Sequence, residues 1–239
     1  MKRKILTFLS FALLSSVITS CILGPSVSGN GNVTKEQREV GSFEKIKVTR
    51  GLNVYLTQGD VPKIIVEADE NLLEYIETEV DDEMLIITSS AMIRKSKSLK
   101  VHVTATDLSE IRATAGSNVN SKDLISSDDL EISGSAGSNI KLRINARDVE
   151  VSASAGSNIT LEGNANDIEL KASAGSNIKA EDLKTNECDA HTSSGANIWI
   201  KVEKEFDASA SSGGNVFYYG NPKNTNIKKS SGGNVIQRN

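Results

Sequence analysis

A five-residue phrase recurs seven times in the second half of this chain: AGSNV at 115–119, AGSNI at 136–140, 155–159 and 174–178, SGANI at 194–198, and SGGNV at 212–216 and 231–235. Its asparagines, Asn118, Asn139, Asn158, Asn177, Asn197, Asn215 and Asn234, are separated by 21, 19, 19, 20, 18 and 19 residues. A repeat of that length is the signature of a solenoid, whose units bury their apolar faces only by stacking on one another. Such a chain builds a long surface, and its function is to be sought there.

On both sides of each phrase apolar and polar residues alternate, the period of half-buried strands. Alignment on the glycine gives four apolar columns: Leu130, Val149, Ile168, Cys188, Phe206; then Ile132, Val151, Leu170, Ala190, Ala208; and, after the corner, Ile140, Ile159, Ile178, Ile198, Val216 and Leu142, Leu161, Ala180, Ile200, Tyr218. The glycine takes a positive φ without a Cβ clash, so the chain turns sharply once per coil. The small residues before it (Ala115, Ala136, Ala155, Ala174, Ser194, Ser212) suit a narrow inside corner, where a large side chain would break the stack. Each asparagine is placed to bond local backbone or the amides above and below, as a stacked ladder; a row of ligand-binding amides is the functional rival. Coils that repeat in one direction stack in parallel, and parallel crossovers are right-handed. The expected fold is all-β, a right-handed parallel β-helix (solenoid) with ~19-residue coils. An antiparallel sandwich is the alternative, but its loops have no reason to be alike.

Residues 1–20 have the layout of a secretory signal peptide: Lys2, Arg3 and Lys4 lead into an apolar run from Ile5 to Ile18. That run is shorter than the ~20 residues a spanning helix needs. Ile18-Thr19-Ser20-Cys21 resembles a bacterial lipobox, in which Cys21 becomes the acylated N-terminus. The expected layout is a signal peptide over 1–20, a lipidated tether over 21–32, an irregular β part over 33–107 and regular coils over 108–239. Cleavage removes three cations from a chain of formal charge −4 and leaves −7, a balance that offers nucleic acid no basic patch. With Cys21 acylated, Cys188 has no disulfide partner.

The strand-like runs from 43 to 104 (FEKIKV, LNVYLTQ, KIIVEA, YIETEV, MLIIT, LKVHVTA) are longer and more aliphatic than the later coils. They read as opening coils or as a β cap, since terminal repeats of such arrays are atypical. Gly51-Leu52-Asn53-Val54 repeats the corner in degenerate form, and a helical turn fits Asn71–Glu74. The opening SGNGNV, the segments VGSFEKIKVTRGLNVYLTQGD and IIVEADENLLEYIETEVDDEMLIIT, and the train of GSNI corners together resemble the head GIN domain family of Bacteroidetes lipoproteins, described as autotransporter adhesins. The resemblance runs from about Val33 to Val235 and implies a right-handed β-helix in the cell envelope, with little implied about chemistry.

No catalytic signature accompanies the repeat. His102 and His191 lie far apart, each pointing outward by alternation, and no His, Cys and carboxylate spacing matches a zinc site. The calcium-binding nonapeptide needs an aspartate in every turn, where these turns carry Asn followed by Val or Ile. No metal or cofactor is expected. Parallel β-helices include polysaccharide lyases and glycosidases, for which Asp128, Asp129, Asp148, Asp167 and Asp182 are the candidate acids; the registry of Asp129, Asp148, Asp167 and Glu187 reads more simply as a solvated rim.

One outward column does change: Lys141, Thr160, Lys179, Trp199, Phe217, Ile236, with Tyr219 two residues beyond Phe217. Grouped outward aromatics mark a contact, here with a second copy of the chain, a glycan or the chain's own tail. The final strand at 235–239 carries no cap in the pattern and is a second place for self-association. The expected function is a non-catalytic envelope lipoprotein, held in the outer membrane by its lipid and presenting a surface for adhesion, binding or scaffolding to a glycan or protein. A carbohydrate-active β-helix and a periplasmic structural protein are the alternatives. Ile22-Leu23-Gly24-Pro25-Ser26 lacks the acidic run that resembles a surface-export signal, so the anchored protein faces either the periplasm or the outside.

Overall fold

The computed structural model describes residues 25–239. The segment expected to be a signal peptide and the expected lipidation site Cys21 therefore lie outside the described residues. About two thirds of the chain is strand, and it forms a parallel β-solenoid of about seven turns with coils of ~19 residues.

Nine strands precede the regular coils among the described residues: β1 Ser26–Ser28, β2 Val33–Arg38, β3 Lys45–Val48, β4 Asn53–Gln58, β5 Lys63–Asp69, β6 Ile76–Asp81, β7 Met84–Ser89, β8 Met92–Lys95 and β9 Leu99–Ala105, with a 3-10 turn at Glu70–Tyr75. The coils are β10 Glu110–Ala113, β11 Asn118–Gly134, β12 Asn139–Ala153, β13 Asn158–Ala172, β14 Asn177–Thr192, β15 Asn197–Ala210, β16 Asn215–Tyr219, β17 Asn224–Lys229 and β18 Asn234–Gln237. One wall stacks β6, β7, β3 and β10, then the later halves of β11 to β15, then β17. The other stacks β2, β5, β9 and β4, then the earlier halves of β11 to β15, then β16 and β18. β3 and β4 form a true opening coil around Arg50 and Gly51, and Asn53 pairs with Asn118. The antiparallel pairs β2–β5, β5–β9 and β6–β7 close that end.

The four apolar columns face inward, from Leu130 at 2% exposure to Tyr218 at 9%. Each Ile of the Ile140, Ile159, Ile178, Ile198 column registers on the next, so aliphatic side chains meet like shapes at the ~4.8 Å strand spacing. Burial of one such side chain is worth roughly 1.5–3 kcal/mol, which is how a core with few aromatics holds the stack.

The corner differs from the sequence reading in one respect. Both the residue before the glycine and the glycine have positive φ, about +50° for Ala115, Ala136, Ala155, Ala174, Ser194 and Ser212 and about +73° for the glycines. Ser117 N–H donates to Thr114 O at 3.2 Å, closing a turn of type I′ character that recurs in every coil. The small residues before the glycine are exposed, not packed in the inside corner. They are small because a left-handed backbone penalises branched side chains. The inside corner belongs to the following residue. Ser117, Ser138, Ser157 and Ser176 are fully buried, and Ser138, Ser157 and Ser176 donate Oγ–H to Ala113, Gly134 and Ala153 carbonyls of the coil before, at 2.8–2.9 Å. Later coils narrow this position to Ala196, Gly214 and Gly233; a Cβ on Gly233 would lie 2.3 Å from Ala210 backbone.

Candidate functional site

The corner asparagines form a continuous side-chain ladder. Nδ2 of Asn118, Asn139, Asn158, Asn177, Asn197, Asn215 and Asn234 each donates to Oδ1 of the asparagine one coil earlier, at 2.9–3.1 Å, and the row starts at Asn53, whose Nδ2 donates to Leu99 O. Every interior amide thus spends one donor and its oxygen on its neighbours, and the ladder links the coils.

The outward column beside it is one row from end to end: His102, Tyr55, Asn120, Lys141, Thr160, Lys179, Trp199, Phe217, Ile236. Trp199 and Phe217 stack with centroids 5.3 Å apart and planes inclined by 21°. Lys179 Nζ lies 5.9 Å from the Trp199 ring and the Arg238 guanidinium 5.0 Å from the Phe217 ring, so cations cover the two outer faces of the pair. The rings are half-buried, while Ile236 is 37% exposed. Tyr219 registers on Lys201 beside this column. The structure therefore brings Trp199, Phe217 and Ile236 into contact register, with Tyr219 adjacent.

Sequence reasoning missed the opposite end of the same column. Tyr55 and His102 stack at 5.5 Å, with Lys122 Nζ 5.8 Å from the Tyr55 ring. Burial and the charge of Lys122 lower the His102 pKa, which favours the neutral imidazole. The degenerate corner at Gly51 was the available signal, since it fixes the register that places Tyr55 in this row.

The opposite wall carries the acids. Asp129, Asp148, Asp167, Glu187 and Glu205 form one outward ladder, and Glu131, Glu150, Glu169, Asp189 and Asp207 form a second beside it. Together they line an open groove of about 730 Å³. The second ladder repeats the spacing of the first two residues further on, so the same alignment that shows the first also shows the second, which sequence reasoning missed. Basic side chains answer part of this charge: Arg147 reaches Asp129 at 3.1 Å and Asp148 at 2.9 Å, and Lys171 reaches Glu150 at 3.0 Å and Glu169 at 2.8 Å. The hydrogen bonds that Lys171 donates to Glu169 and Glu150 raise its pKa. The Asp128 and Asp182 candidates fall outside the two ladders.

Glu169, Asp189 and His191 place their ligand atoms within 4.8 Å of one another, and this trio is the group among the described residues able to hold a cation. His191 Nε2 is 3.0 Å from Asp189 Oδ1, and its Nδ1 is 2.6 Å from Ser209 Oγ. Lys171 sits on Glu169 and supplies a positive charge of the protein's own. Cys188 lies beneath this wall, buried; burial pushes its thiol pKa up, which leaves it a packing group instead of a nucleophile.

In the cap, Asp69 is 1% exposed and accepts backbone N–H bonds from Gly31 (3.0 Å), Lys97 (3.0 Å) and Ser98 (3.1 Å). Burial opposes its charge, but the amides of Ser98, Gly31 and Lys97 outweigh that and lower its pKa. A Cβ on Gly29 would meet Asp69 Oδ2 at 1.9 Å, so the glycine makes room for the carboxylate. These contacts are structural.

This geometry defines a class: a capped parallel β-solenoid whose corners are hydrogen-bonded ladders and whose distinctive chemistry lies on its outer walls. Residues 42–222 match the family described as "Putative auto-transporter adhesin, head GIN domain", and the chain belongs to that family. Its fold is shared with a "putative adhesin" from Bacteroides fragilis (21% identity, 89% of this chain and 100% of the other, TM-score 0.82). It is shared also with a "putative lipid binding protein" from Parabacteroides distasonis (18%, 90% and 100%, TM-score 0.69) and a "putative adhesin" from Parabacteroides merdae (18%, 90% and 100%, TM-score 0.66). No curated protein matches the sequence.

Proposed function

We propose that this chain is a non-catalytic lipoprotein of the outer membrane that presents the aromatic end of its outward column to a protein or glycan, in the manner of an adhesin. The observation that carries this reading is the change at Trp199 and Phe217. In the late coils this outward column departs from Lys and Thr to a stacked aromatic pair framed by Lys179 and Arg238. Two half-buried rings, an adjacent tyrosine, an exposed isoleucine and two cations make a mixed patch of the kind found at protein interfaces. The adhesin descriptions of the family and of two structural neighbours agree with it.

Two measurements test the placement. Metabolic labelling with a radioactive fatty acid should mark the chain and fail on Cys21→Ser. Protease treatment of intact cells should then remove the solenoid. Full protection of the folded chain, with digestion after the cells are opened, would place it in the periplasm and remove the adhesin reading.

A further inference from the structure

We infer that copies of this chain associate head to tail, the basic C-terminal coil of one copy seating on the acidic N-terminal edge of the next. Both walls are continuous sheets that end on strands at the margin of the fold: β6 and β17 bound one wall, β2 and β18 the other. A marginal strand offers backbone donors and acceptors to another sheet, so each end is a template for pairing.

Charge selects which ends meet. Residues 64–93 carry nine carboxylates and no Lys or Arg, and all but Glu67 and Asp69 of the nine are exposed; Arg38 of β2 donates to Ile76 O and to the Thr78 hydroxyl of β6, one cation against the exposed Glu70, Glu74, Glu77, Glu79 and Asp81. Residues 221–239 carry Lys223, Lys228, Lys229 and Arg238, all exposed, and no Asp or Glu. The acid ladders of the groove wall also stop there, since Glu205 and Asp207 register on Asn224 and Asn226 of β17. Two C-terminal ends would bring like cations together, and two N-terminal ends would do the same with carboxylates. Only the head-to-tail contact sets Lys228 of β17 near Glu77, Glu79 and Asp81 of β6.

Strand direction and phase fit as well. β6 runs against β7, and β7 runs with β3, β10 and the coils up to β17, so β17 of one copy meets β6 of the next as an antiparallel pair. In β17 the side of the strand that bears Lys228 alternates with the side bearing Ile227, which registers on the buried Ala208 and is itself 37% exposed. In β6 the exposed Glu77 and Glu79 alternate with Thr78 and Val80, and Val80 packs toward the core. Charged positions thus face outward together, and Ile227 is covered by the neighbouring copy. Because the two surfaces differ, the contact is heterologous and repeats into a row instead of closing as a dimer.

Sedimentation velocity on the Cys21→Ser protein tests this. At about 10 mM salt, where charges are felt over ~30 Å, association growing with concentration beyond a dimer is expected; at about 1 M salt, with a ~3 Å screening length, it should weaken at least about tenfold. Lys228→Glu/Lys229→Glu and Glu77→Lys/Glu79→Lys should each be monomeric alone, with a native melting profile, and an equimolar mixture should recover association beyond a dimer, in rows where the two variants alternate. A wild-type protein that stays monomeric at low salt, an association that stops at a dimer, or one lost in the β17 variant but intact in the β6 variant overturns the inference.

Discussion

At the scale of the residue, the corner alanines show how a small side chain can be selected by backbone angle and not by space. Ala155 has φ +47° and is exposed, so its cost is the left-handed conformation, about 1–2 kcal/mol for a residue with a Cβ. Ala155→Asn, whose side chain tolerates that region, is expected to raise stability by about 0.5–1 kcal/mol, and Ala155→Val to lower it by at least about 1 kcal/mol, both read from urea midpoints. Glu67 makes a second prediction. The Ser98 hydroxyl donates to it, and Lys35 and Lys100 lie at 3.3 and 3.5 Å; these outweigh burial and hold its pKa down at about 2 against an ordinary 4.5. A depressed carboxylate contributes stability that is complete above the unfolded value and is lost as pH falls through the folded one. Stability should therefore decline between pH 4.5 and about 2, and Glu67→Gln should flatten that part of the curve; an unchanged slope would remove Glu67 from the account.

At the scale of the element, each strand is held in place by ladders on both sides of the corner. Asn158 donates to Asn139 and accepts from Asn177, so Asn158→Ala strands two partners and should cost about 1–2 kcal/mol, against less for Asn234→Ala at the end of the row. Gly163 tests a different constraint. Its φ is +115° and a Cβ would lie 2.1 Å from Ile144 O, whereas Gly156 at +73° has nothing within 4 Å. Gly163→Ala should cost about 3 kcal/mol or more and Gly156→Ala only the ~1–2 kcal/mol of backbone strain, as measured by the loss in denaturation midpoint. The corner glycines and the four inward columns were legible in the sequence because they recur at a fixed spacing. Gly163 was not. It breaks the Ile144 to Leu183 column in a single coil, and its cause is a carbonyl from the preceding coil that no local pattern records.

At the scale of the whole molecule, the repeat prescribes the solenoid, but it does not prescribe how the solenoid ends. The returning path of the first half, in which β10 stacks on β3 across more than sixty residues of sequence, depends on contacts that periodicity cannot encode. The same limit governs the surface. Trp199 and Phe217 stood out as exceptions to a regular column, while Tyr55 and His102, at its far end, lie in coils too irregular to align, and the cations on the aromatic faces come from different coils. The separation of scaffold and contact surface into different columns is open to experiment. It is tested most directly by pairing two variants: Asn158→Ala on the ladder, and Trp199→Thr with Phe217→Lys, which place in the late coils residues already present in that column at Thr160 and Lys141. Each is measured for thermal midpoint and for binding to an array of defined glycans and to immobilised envelope proteins. The account predicts a lowered midpoint with retained binding for the first, and a midpoint within a few degrees of the parent with binding lost for the second. Binding that survives loss of both aromatics, or a collapse of stability in that variant, would contradict it.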